Sequence, residues 1–106
     1  MEIPQIDLDQ LEEELAAGKV LIDVRELDEY TAGHVASAIS MPMSAIAELV
    51  DQIPTGPLNI ICQAGGRSQR VCEFLAPQGF DVSNVIGGTG AWQVSGRDVV
   101  TGTEPI

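Results

Sequence analysis

Positive charge is scarce in this chain. Lys19, Arg25, Arg67, Arg70 and Arg97 are its only cations, set against 16 acidic residues for a formal charge of −11. Nucleic acids and anionic membranes are recognised through clustered lysines and arginines, so neither is expected as a partner. Histidine is scarcer still. His34 is alone, with no second histidine or cysteine at ligand spacing, so no metal site is expected, and no organic cofactor is implied. Long apolar runs are missing, and the start, Met1-Glu2-Ile3-Pro4-Gln5-Ile6-Asp7, lacks the basic residues and apolar stretch of a secretory signal. A cytoplasmic protein is the expectation. Of the two cysteines, Cys62 and Cys72, neither is needed as a staple in a reducing compartment, and both read as free thiols.

What is present suffices for one core. A chain of 106 residues, 44% of them apolar, buries roughly 65% of its unfolded surface and has no room for a second domain. The core is expected over about 5–96, with 97–106 a loosely held tail. Asp7 is a good N-cap, Gln10 completes a capping box, and Leu8, Leu11 and Leu15 mark the apolar stripe of a helix that Gly18 closes. Val20-Leu21-Ile22 reads as a strand covered on both faces, followed by a short helix over Leu27 to Ala32 that Gly33 stops. A short strand around Ile39 comes next, then a helix opened by Pro42 and Ser44 and carrying Ile46, Leu49 and Val50.

Beyond the turn Pro54-Thr55-Gly56-Pro57, Leu58 to Ile61 forms another buried strand. Ser68 can begin a helix with Val71, Cys72 and Leu75 on one face. Val82 to Ile86 gives a last strand, Gly87-Gly88-Thr89-Gly90 a tight turn, and Ala91 to Val94 a short helical segment. Strands alternating with helices at these intervals predict an α/β fold, a mainly parallel central sheet flanked by helices on both faces. Ligands in such sheets bind at the carboxyl ends of strands.

Cys62 falls at such an end, where Leu58 to Ile61 gives way to Gln63-Ala64-Gly65-Gly66-Arg67-Ser68. A thiolate is the reactive form of cysteine, and an ordinary pKa of about 8.5 leaves little of it at neutral pH. The candidates for stabilising it are the loop amides of Gln63 to Ser68, the dipole of the following helix and the charge of Arg67, with no general base required. Two of the five cations, Arg67 and Arg70, lie just after Cys62, so a small anion is the expected ligand. The competing reading is a buried structural cysteine that ends a strand. Cys72, among Val71 and Leu75, is expected to be buried as a small apolar residue, its rival role being a resolving thiol for Cys62.

Three segments together resemble the single-domain rhodanese family of thiosulfate sulfurtransferase-like proteins. They are Leu21-Ile22-Asp23-Val24-Arg25-Glu26 with Glu29-Tyr30 and Gly33-His34; Ile60-Ile61-Cys62 with Gly65 to Ser68; and Val85-Ile86-Gly87-Gly88 with Ala91-Trp92. The resemblance implies a single rhodanese-like domain and a sulfurtransferase. In that family Cys62 would take sulfur from a small anionic donor such as thiosulfate, hold it as a persulfide cradled by Gln63, Ala64, Gly65, Gly66, Arg67 and Ser68, and pass it to a thiophilic acceptor, a thiol or a protein partner. Arg67 would be the main cation for the donor. A protein-to-protein persulfide relay and a non-catalytic binding module are the alternatives, the latter commonly lacking the cysteine or its loop, both of which this chain keeps.

Related phosphatases and arsenate reductases have one residue more between cysteine and arginine, so the four-residue spacing from Cys62 to Arg67 disfavours their chemistry. Gln63 stands where many members that take up thiosulfate carry a basic residue. Arg25 and Glu29 are expected, by the resemblance, to tie a strand to its following helix. Gly88-Thr89-Gly90 begins like a dinucleotide fingerprint, but Gln93 occupies the third glycine position, so it reads as a turn. Trp92 is expected as a core anchor near the thiol loop, His34 as a partner in a loop hydrogen bond, and Met41 and Met43 as packing residues.

Overall fold

A computed structural model describes residues 2–106. Chain order runs β1 (Gln5–Ile6), α1 (Leu8–Ala16), β2 (Val20–Asp23), α2 (Leu27–Ala32), β3 (Ile39–Ser40), β4 (Pro57–Ile61), α3 (Gly66–Leu75), β5 (Asp81–Val85) and α4 (Gly88–Val94). The five strands form one sheet in the order β1-β5-β4-β2-β3, and every pairing is parallel. Such a sheet has to be covered on both faces. Neighbouring side chains along a strand alternate between those faces: Ile22 and Ile60 join Val71, Cys72 and Leu75 beneath α3, whereas Leu21 and Ile61 join Leu11, Tyr30, Val85 and Trp92 beneath α1, α2 and α4. Each fully buried isoleucine contributes about 1.5–3 kcal/mol, so β2 and β4 anchor both layers.

Local chemistry explains most element ends. Asp7 caps α1 by accepting from the Gln10 amide at 2.8 Å. The reciprocal half of the expected capping box is absent, because the Gln10 side chain donates to Glu14 instead. A complete box forms at α2, where Glu26 and Glu29 each bond the other's backbone amide. The helix expected after Pro42 is two 3₁₀ turns, Ile46–Glu48 and Val50–Gln52, since only Ile46 of that stretch is buried and nothing rewards a longer helix.

The tail expected to be loose is docked. Val100 and His34 exchange backbone hydrogen bonds at 2.8 Å, Gly102 donates to Thr31 O, and Ser37 donates to Pro105 O. The imidazole of His34 is fully buried and stacked on Tyr30 at 3.7 Å between ring centroids; its Nδ1 faces Tyr30 O and its Nε2 faces Glu104 O, each at 2.8 Å. Trp92 Nε1 donates to Asp98 O, and Arg97 pairs with Asp9 and Glu12 on α1. A few polar contacts to a preformed layer hold what periodicity cannot register. Trp92 is a core anchor, but on the sheet face opposite Cys62.

Candidate functional site

Cys62 directly follows the last residue of β4, so the strand delivers its side chain to the carboxyl edge of the sheet between β2 and β5. Gly65 then turns the chain with φ +108, a conformation that suits a residue without Cβ, and α3 starts at once. The helix begins at Gly66, two residues before the expected Ser68, so the loop is short and its amides converge on the sulfur. The Gly65 N–H donates to Cys62 Sγ at 3.0 Å, and Ser68 Oγ lies 3.2 Å from it. Burial opposes ionisation of Cys62. The Ser68 hydroxyl and the amides of Ser68, Gly65 and Ala64 outweigh it and hold the thiol below its ordinary range.

The sulfur is therefore hydrogen-bonded by loop amides and by one side-chain hydroxyl. It is also almost wholly covered, with Cys62 only 1% exposed, while Gln63, Ala64 and Gly66 around it are open to solvent. Cys72, one turn beyond Ser68 on α3, is fully buried; burial first, then the charges of Glu73 and ionised Cys62, push its thiol up to about 12. The two thiols are thus separated in reactivity by the same low-dielectric layer. Only Cys62 borders the exposed loop residues.

Arginines near the loop are committed to partners. Arg67 forms a bidentate pair with Glu29, at 2.7 and 2.8 Å, joining the first turn of α3 to α2. Arg25, 3% exposed, grips the fully buried Asp23 through Nε and Nη2, donates to Gly33 O at 2.7 Å and reaches Gln63 Oε1 at 3.2 Å. Arg25 thus ties β2 to the end of α2, as expected. Glu29 does not share that task, because its carboxylate is turned to Arg67. Among the described residues Arg70 alone of the cations has no ion-pair partner; with Met43, Ile46, Ala47, Val71 and Phe74 it lines a cavity to which no residue from Gln63 to Ser68 contributes.

Two contributors were not legible as site residues. Gly88 opens α4 at φ +61, and a Cβ there would overlap the Cys62 carbonyl oxygen and lie 2.7 Å from the carbonyl carbon and oxygen of Gln63. Its absence lets the next two amides close on the loop: Thr89 N–H donates to Cys62 O at 2.8 Å and Gly90 N–H to Gln63 O at 2.9 Å. The expected tight turn is therefore the first turn of a helix that clamps the thiol loop from behind. Asn84, on β5, accepts from Ser68 at 2.5 Å. A double glycine hints at close approach, but a lone asparagine in a strand carries no such signal. No three His, Cys, Asp or Glu side chains among the described residues gather into a metal-binding group.

A family model described as the rhodanese-like domain matches residues 7–95. The chain is 38% identical over 96 residues to the Bacillus subtilis protein named "Putative sulfurtransferase YtwF", covering 88% of this chain and 93% of that protein. It is 31% identical over 83 residues to the thiosulfate sulfurtransferase GlpE of Pseudomonas savastanoi pv. phaseolicola, covering 76% and 78% of the two chains. Among solved structures, a rhodanese-related protein from Thermoplasma volcanium superposes with a TM-score of 0.87 at 31% identity, over 95% of this chain and 99% of that one.

Proposed function

Since the chain belongs to the rhodanese-like domain family, we infer that it is a sulfurtransferase carrying sulfane sulfur as a persulfide on Cys62. The Cys62 thiolate attacks the outer sulfur of a donor such as thiosulfate, forming a new S–S bond. The donor's S–S bond breaks and sulfite departs with its electron pair. The terminal sulfur of the resulting persulfide carries the negative charge and is held by the amides around Ala64 and Gly65 and by the start of α3. A thiolate or cyanide acceptor then attacks that sulfur, and Cys62 leaves as the thiolate. No electrons are gained or lost overall.

One observation carries this reading: Gly65 N–H and Ser68 Oγ stand 3.0 and 3.2 Å from a sulfur at a strand carboxyl end, with no imidazole beside it. A nucleophile activated by dipoles alone suits a reaction whose leaving group, sulfite, needs no proton. The test is to incubate the protein with thiosulfate and look by mass spectrometry for one added sulfur on Cys62, then add cyanide and measure thiocyanate. A chain that gains no sulfur from thiosulfate or from a cysteine desulfurase is not a sulfurtransferase.

A second reading, a persulfide relay between proteins, is favoured by the charges at the mouth. Arg67 is neutralised by Glu29, Arg25 by Asp23, and Gln63 is uncharged, so no unpaired cation faces a thiosulfate dianion. Loading by a desulfurase but not by thiosulfate supports the relay.

A further inference from the structure

The Ser68 hydroxyl has one proton and two claimants. Its Oγ lies 3.2 Å from Cys62 Sγ and 2.5 Å from Asn84 Oδ1, and the residue is fully buried, so no water supplies another donor. Asn84 cannot turn its amide round to relieve this. Its Nδ2 donates to Gly65 O at 3.3 Å, a backbone carbonyl that can only accept, and to Gln5 Oε1 at 2.9 Å. Gln5 is fixed in the same sense, because its Nε2 donates to Ile3 O at 3.1 Å. Two main-chain carbonyls, Ile3 and Gly65, thereby dictate that an acceptor oxygen of Asn84 faces Ser68.

The consequences differ by the state of the sulfur. When Cys62 is a thiol, its S–H donates to Ser68 Oγ, and Ser68 O–H donates to Asn84; every group is satisfied. When Cys62 is a thiolate, sulfur and Asn84 Oδ1 compete for the single O–H. When Cys62 bears an added sulfur, Sγ is an uncharged bridging atom and a poor acceptor, so the proton returns to Asn84.

We propose that Asn84 is a positioning residue that draws the Ser68 proton away from Cys62, favouring the protonated and sulfur-loaded forms over the free thiolate. The charged and titratable groups around the sulfur are Arg67 and Cys72 on α3, Glu29 on α2 paired with Arg67, and the Asp23–Arg25 pair at the end of the adjoining β2; Asn84 is the contribution of β5 and is uncharged. None of them shares the Ser68 hydrogen bond. The inference rests on Cys62 being the reacting thiol and on no particular sulfur donor.

The test reads that thiol directly. The rate of Cys62 alkylation by iodoacetamide is followed against pH, with the modified peptide identified by mass spectrometry. Asn84→Ala releases the hydroxyl to the thiolate and lowers the midpoint by about one pH unit, the worth of one hydrogen bond to a charged group. Ser68→Ala raises the midpoint, and adding Asn84→Ala to it produces no further change. Asn84→Leu, close in volume, serves if the alanine variant does not fold. A midpoint unmoved by either Asn84 variant, or moved equally with and without Ser68, overturns the proposal and leaves Asn84 a purely structural residue. Because no donor is used, failure here is separate from failure of the persulfide reading, which the sulfur-loading assay judges.

Discussion

Glu29 on α2 and Arg67 in the first turn of α3 are joined by two hydrogen bonds of 2.7 and 2.8 Å. The Arg67 guanidinium is the main reason the Glu29 carboxyl is held down at about 2, aided against its partial burial by the Glu26 amide and the charges of Arg67 and Arg25. A depressed carboxylate contributes stability above its unfolded pKa of about 4.5 and loses it as pH falls through about 2. Both side chains are about one-third exposed, so screening limits the pair to about 1 kcal/mol or less. Glu29→Gln should therefore lower the denaturant midpoint slightly at pH 7, with the gap from wild type closing between pH 4.5 and pH 2 and also in 1 M salt. A gap independent of both pH and salt would mean that packing, not the charge, holds α2 to α3.

The same pairing bears on donor choice. Arg67 and Arg25 are each matched to a carboxylate, and the exposed Gln63, which directly follows Cys62 in the chain, is uncharged. Gln63→Arg should place an unmatched cation there. A charge at the distance of a loop side chain in partly solvated surroundings is worth about 1–2 kcal/mol toward an anion, or roughly tenfold in KM. The expected result is a lower KM for thiosulfate with sulfur loading by a desulfurase unchanged. An equal gain with both donors would show a general effect on the thiol.

Cys72 offers a sharper contrast. With its thiol pushed up to about 12 and no exposure, it should stay unmodified by iodoacetamide at pH 8 while Cys62 reacts. Cys72→Ser should keep turnover within about twofold and cost roughly 1–3 kcal/mol by burying a hydroxyl in an apolar layer. Cys62→Ser should abolish sulfur loading altogether. A Cys62–Cys72 disulfide found after mild oxidation, lost together with recovery of activity in Cys72→Ser, would make Cys72 a resolving thiol instead.

How far the sequence discloses this site follows from where its signals are local. The apolar runs Val20 to Ile22 and Leu58 to Ile61 declare buried strands because each residue reports its own burial, and Cys62 at the end of one is visible for the same reason. The strand β1 is two residues long, behind Pro4, and exists only because β5 offers a free edge. The start of α3 is hidden too, since a glycine cap in the left-handed region carries no side-chain signature. Partner choice is least legible of all. Arg67 and Glu29 are 38 residues apart, and Ser68 and Asn84 are 16 apart; each pair meets only through the parallel register of the sheet. His34 illustrates the same limit, because its second ring nitrogen is satisfied by Glu104 in a tail that has no periodicity to reveal it.

Gly88 is where fold and chemistry make one demand. Its φ of +61 already disfavours any side chain, and an added Cβ would press on the carbonyls of Cys62 and Gln63, the atoms that Thr89 and Gly90 clamp. Strain at such a position costs about 1–3 kcal/mol before the clash is counted. The clash is directional: it pushes on Cys62 and Gln63 themselves, so the loop amides lose their aim at the sulfur. Gly88→Ala should therefore lower kcat/KM by about a hundredfold, the scale of an ångström of misplacement, as well as destabilise the fold. Gly56 is the control, with φ +92 but nothing within 4 Å of a new Cβ. Gly56→Ala should lower the thermal midpoint and leave turnover of the remaining folded protein intact. If the two variants lose activity only in proportion to the folded fraction, then α4 supports the sheet without aligning the thiol.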